Sequence, residues 1–109
     1  MKLGNFDEAI DALRRSLAAQ PLFCVGAYRL GLAYEGKNDL KAAHDAFTKA
    51  VETAAPDCQR LQDAFDARAR VGAKVGPADL VREDLSKCVS IDKGTPIGKD
   101  CAERLAKMK

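Results

Sequence analysis

The sequence predicts an all-α fold, and three observations carry that prediction. Alanine, leucine, lysine, arginine, aspartate and glutamate dominate the composition, while β-branched residues are scattered. No run of strand length alternates apolar with polar residues. The chain also repeats itself: "GNFDEAIDALRRSLAAQP" laid over "NDLKAAHDAFTKAVETAAP" pairs Phe6 with Leu40, Ala9 with Ala43, Leu13 with Phe47, Ser16 with Ala50 and Leu17 with Val51, each pair 34 residues apart. Repeating helices that bury one face against their neighbours make an α-solenoid.

The bulk numbers bound the rest. At 109 residues the chain is read as one domain, residues 1–109, with apolar residues at 47% and charged residues at 31%. The net charge of +2, from 18 basic and 16 acidic residues, gives no field that favours nucleic acid or an acidic lipid surface. No apolar run approaches the roughly 20 residues of a membrane span. The start, "MKLGNFDEAI", lacks an apolar signal core, so localisation is not read from the terminus.

Taken in order, residues 1–21 read as the second helix of a partial repeat. Because the chain starts inside that repeat, it is expected to be a C-terminal fragment of a longer protein, or a homodimer through the bare face of this helix. Residues 22–56 form a full repeat. Leu30, Gly31 and Tyr34 precede a turn, and Ala43, Phe47 and Ala50 follow it on one helical face. Gly31 and Ala43 are small where two antiparallel helices cross closely, Tyr34 and Phe47 fill the wider gaps, and Pro56 ends the second helix. Residues 57–93 read as a divergent repeat, its first helix lacking the Leu-Gly pair and its spacing about four residues too long near "VGAKVG". Val81, Leu85, Cys88 and Val89 share a face of its second helix. Residues 95–109 form a capping helix, with Thr95 as N-cap, Pro96 at the first helical position, and Ile97, Cys101, Leu105 and Met108 on one stripe.

The Leu-Gly, Tyr, Ala, Phe, Ala and Pro sequence of residues 30–56 resembles the tetratricopeptide repeat (TPR). The resemblance covers Lys2 to Pro56 well, departing where Ala27 replaces a large aromatic, with Tyr28 beside it. It implies antiparallel helix pairs whose first helices line a groove for a protein or peptide partner. By the family's positions, that groove would present Tyr28, Leu32 and Glu35, continued by Gln62, Asp66 and Arg70 if the third repeat keeps register. TPRs that clamp a C-terminal carboxylate use Lys and Asn where Tyr28 and Leu32 stand here, which disfavours such a ligand.

The cysteines are Cys24, Cys58, Cys88 and Cys101, none closer than 13 residues to another. That spacing speaks against a zinc site, whose ligands pair two to four residues apart, and against a Cys-x-x-Cys redox centre. Cys88 stands one turn before the break at "DKGTP" and Cys101 one turn after it, both on apolar stripes. They read as a disulfide in preference to two buried thiols. Cys24 and Cys58 occupy equivalent repeat positions. Helix axes about 10 Å apart make a bridge there marginal, and two small residues near loops is the favoured reading.

No catalytic constellation is visible. The one histidine, His44, has Leu40, Ala43, Phe47 and Thr48 as helix neighbours and reads as a solvated position. The carboxylate pairs Asp7–Glu8 and Glu83–Asp84 read as helix surface, and "VGAKVGP" lacks the end of a phosphate loop. No enzyme activity, metal or cofactor is expected. The expected function is a protein–protein interaction scaffold. The "C…TPIGKDC…L" ending is similar to bacterial TPR lipoproteins that act as pilotins for type IV pilus secretins. That likeness implies a periplasmic or outer-membrane-associated assembly role. The alternatives are a cytoplasmic TPR co-chaperone or regulatory adaptor, or the TPR tail of a multidomain enzyme.

Overall fold

A computed structural model describes residues 3–19, 24–52 and 61–108. Among them are six helices and no strand. Contacts divide the chain into two compact units, Met1–Gln59 and Arg60–Lys109.

The first unit contains α1 (Leu3–Ala19), α2 (Cys24–Gly36) and α3 (Leu40–Glu52), with α2 packed on both of the others. The α2–α3 crossing is set by Gly31 and Phe47. A Cβ on Gly31 would fall inside the contact envelope of the Phe47 ring, so only glycine lets the fully buried aromatic approach this backbone. Ala43, also fully buried, keeps the facing side thin, and the Tyr28 ring stands 6.0 Å from that of Phe47, tilted by 41°. Against α1 the same device recurs, because a Cβ on Gly36 would meet the Phe6 ring.

The turn between α2 and α3 satisfies its own backbone. The Lys37 amide donates to the Ala33 and Tyr34 carbonyls, Asn38 adopts φ 67°, and the Asp39 amide donates to Tyr34. The Asp39 carboxylate then accepts from the Ala42 amide at 3.3 Å and caps α3. Lys37 reaches back to Asp7 on α1 at 2.5 Å. That hydrogen bond, followed by the Asp7 charge, holds the Lys37 ammonium above its ordinary value. The contact therefore stabilises the fold fully below the unfolded lysine value and is lost as pH rises through the raised one.

The second unit contains α4 (Gln62–Val75), α5 (Ala78–Ile91) and α6 (Pro96–Ala106), with α5 packed on both α4 and α6. The "VGAKVG" irregularity is a longer helix: α4 continues through Val75 and stops at Gly76, where φ is +71°. The Gly76–Pro77 bond is cis. Val81, Leu85 and Cys88 are buried on α5 and Val89 half-buried, the stripe read from the sequence. At α6 the Thr95 hydroxyl accepts from the Gly98 amide at 2.9 Å with Pro96 in the first turn. Gly98 admits no side chain, since a Cβ there would run into the Asp92 carbonyl. On the α6 stripe Cys101 is fully buried, and Ile97, Leu105 and Met108 are half-buried.

Candidate functional site

The outward face of α2 follows from its packing. With Cys24, Ala27, Leu30, Gly31 and Ala33 turned inward, the helical period of 3.6 places Val25, Tyr28, Arg29, Leu32 and Glu35 on the opposite side. Leu32 is 37% exposed, one of two large apolar side chains so exposed among the described residues. Tyr28 and Glu35 are half-buried at its flanks. The face offers one aliphatic anchor between an aromatic and a carboxylate, with Arg29 exposed beside them. Three of the six residues expected to line a groove are thus neighbours here.

The other three lie in the second unit, and all of them are engaged internally. Gln62 donates from Nε2 to the carbonyls of Cys88 at 2.8 Å and Asp92 at 2.7 Å, while its Oε1 accepts from the Thr95 hydroxyl at 2.8 Å. Its amide thereby fastens α4 to the α5–α6 turn. Asp66 accepts from Arg104 on α6 and pairs with Arg70 at 3.4 Å. Arg70 keeps its side chain 41% exposed. The register places Gln62 and Asp66 against the capping hairpin because α6 packs on α4.

Asp84 departs from its expected place on the helix surface. It is 1% exposed, and its carboxylate takes a two-point contact from Arg68, itself 6% exposed: Nε to Oδ2 at 2.8 Å and Nη2 to Oδ1 at 2.6 Å. Glu83 beside it is exposed, as expected. Arg68 falls on the α4 stripe Ala64–Arg68–Val71 and Asp84 on the α5 stripe Val81–Asp84–Cys88. Opposite charges set in two facing apolar stripes are the signal from which the pair could have been found.

Cys88 and Cys101 form a disulfide with Cα atoms 6.2 Å apart, both fully buried. Cys24 is disulfide-bonded as well, where a small residue beside a loop was favoured. The interaxial distance that argued against a bridge applies to helix interiors, and Cys24 is the first residue of α2. Cys58, its candidate partner, lies outside the described residues, as does Pro56. Among the described residues no group of three or more His, Cys, Asp and Glu side chains is placed to hold a metal, and no helix is long and apolar enough to cross a membrane. On α1 the exposed side chains include Asp7, Glu8, Asp11, Arg14 and Arg15, with Asp7 held by Lys37 and an Arg15–Asp11 ion pair.

A family model of the tetratricopeptide repeat matches residues 1–21 and 27–57. Those two stretches are tetratricopeptide repeats. No curated protein sequence matches the chain. Among solved structures, the chain is similar to the first TPR of Spaghetti (RPAP3) bound to an HSP90 peptide, with a TM-score of 0.79 and 18% identity, over 96% of this chain and 78% of that one. At that identity the likeness shows the TPR-like all-α fold.

Proposed function

We propose that this protein is a non-catalytic interaction scaffold that holds a segment of a protein partner against the outward face of α2. The observation that carries the reading is Leu32, a large aliphatic side chain left in water on the first helix of a TPR hairpin. Burying such a side chain under a partner is worth about 1.5–3 kcal/mol, enough to dominate a small interface. Tyr28 and Glu35 flank it on the same helix. The neighbouring TPR structure, which carries an HSP90 peptide, supports a peptide or protein as the class of partner.

The setting we infer is an oxidising one, the bacterial periplasm, with assistance to assembly of a type IV pilus secretin as the role. Its support is that no cysteine is free among the described residues. The test is co-purification of the secretin with the tagged full-length protein, together with secretin multimer levels in cells. Leu32→Asp should cut capture by tenfold or more while the melting temperature holds. Unchanged capture discards the α2 face, and a wild-type protein that never retains secretin discards the pilus role. A thiol titration of denatured protein from its native compartment discriminates independently: four reactive thiols would sink the oxidising setting in favour of a cytoplasmic adaptor.

A further inference from the structure

The second unit holds an apolar slot of about 390 Å³ that the reading above leaves unused. It opens between the last turns of α4, the first turns of α5 and the end of α6. Ala69, Gly72, Val81 and Leu85 form a buried floor, and Ala73, Ala78 and Met108 stand along the rim. The slot exists because of two features already described. The α4 extension through Val75 lengthens one wall, while α6, 11 residues against 14, stops before covering it. Small residues on α4 then leave the space unfilled.

The charge at this slot is one-sided. Its two ionisable lining residues, Arg104 and Lys107, are both cations, and no carboxylate lines it. Arg104 is held by Asp66 and stands 3.0 Å from Asp100, which fixes its guanidinium at the wall. Lys107 is exposed and makes no ion pair among the described residues, so its ammonium is the uncompensated charge at the mouth. A concave apolar site of several hundred cubic ångströms with one or two convergent polar groups suits a small amphiphilic ligand.

We propose that this slot binds an aliphatic carboxylate of the fatty-acid type, with its chain on the Ala69, Gly72, Val81 and Leu85 floor and its carboxylate at Lys107. Each methylene added inside the slot should raise affinity about fourfold, the factor equivalent to about 0.8 kcal/mol, until the chain outgrows the cavity. The carboxylate should add a salt-sensitive contribution of about fivefold over the matched alcohol, as an exposed ion pair does.

The experiment is a titration of the full chain with hexanoate, octanoate and decanoate below their aggregation limits, and with 1-octanol, followed by amide chemical shifts. The expected result is saturable shifts centred on Gly72, Ala73, Ala78 and Leu85, tightening with chain length and weaker for the alcohol. Lys107→Glu should erase the preference for the acid and leave octanol binding unchanged. Ala73→Trp, at an exposed helix position, should block both ligands without lowering the melting temperature. Absence of saturation, shifts centred elsewhere, or equal binding of acid and alcohol would each overturn the proposal. Slot shifts that follow protein concentration alone would also overturn it, by assigning the surface to a second copy of the chain. Because α2 takes no part, Leu32→Asp should leave these titrations untouched, so this proposal and the scaffold reading stand or fall separately.

Discussion

The α2–α3 pair of the first unit and the α4–α5–α6 cluster of the second use helices of nearly equal length, 13 and 14 residues for the paired helices, yet different contacts hold them. In the first unit the crossing rests on shape: Phe47 seated on Gly31, with Tyr28 tilted against it. In the second, the pair α4–α5 is joined by a buried Arg68–Asp84 contact, and α6 is tied on by a disulfide, by Asp66–Arg104 and by the Gln62 amide. Where the repeat pattern of small and aromatic residues is intact, apolar interlock suffices. Where the pattern decays, directional and covalent contacts supply the specificity that shape no longer does.

The sharpest way to break this contrast is to strand a charge in the second unit. Asp84→Ala removes the carboxylate that the buried Arg68 guanidinium contacts at two points, and removing one member of such a pair costs about 3–5 kcal/mol. Against a total stability of about 5–15 kcal/mol, that is a large share. Urea unfolding should show it directly. Replacing both partners, as Arg68→Met with Asp84→Leu, should restore most of the loss, because two well-packed apolar side chains need no hydrogen bonds. A loss below about 1 kcal/mol for Asp84→Ala would mean that water reaches the pair, and the second unit would then rest on shape as the first does.

The covalent staple ranks next. Cys88→Ala with Cys101→Ala opens a loop whose ends are 13 residues apart, for which loop closure is worth about 3 kcal/mol. Hydrogen exchange separates the contributions: α6 amides should exchange faster, while Gln62 and Thr95 still hold the α5–α6 turn. If α6 exchanges at the rate of an unfolded peptide in this variant, the polar clasp contributes nothing alone. Should exchange be unchanged, the clasp is sufficient and the disulfide redundant.

The same contrast explains what could be read in advance. The 34-residue period, the Thr95–Pro96 start and the stripes of α5 and α6 are local patterns, repeated at helical spacing and visible residue by residue. Gly31 and Phe47 were legible because a repeat writes its crossing into residue size. The α4 extension appeared only as a spacing error, since helix and loop are both compatible with "VGAKVG" until a positive φ at Gly76 ends the helix. Gln62 and Asp66 look like surface residues on their own helix. Their partners in the α5–α6 hairpin lie 26 to 38 residues away, and nothing in the local spacing points to those. Asp84 was hidden for a different reason: charged residues are so common on these helices that one buried pair is masked by many exposed ones. On the α2 face, the outward placement of Tyr28, Leu32 and Glu35 was legible only through the repeat family's positions, since a single exposed leucine is common on any surface.

The smallest predicted effect belongs to the first unit and tests its reliance on shape. Gly31→Ala adds one methyl where the Phe47 ring lies, which calls for a shift of a buried aromatic and costs about 1–3 kcal/mol by overpacking. Alanine is the better helix former by about 1 kcal/mol, which offsets part of that cost. The net loss should therefore be about 1 kcal/mol, read as a lower unfolding midpoint at unchanged denaturant slope. Trimming the ring with Phe47→Leu in the same chain removes the clash, so the double variant should lose less than the sum of the two single changes. Such coupling is the signature of interlocking shapes. If the two changes are simply additive, Phe47 has room to move, and the first unit is held by burial alone without a fitted crossing.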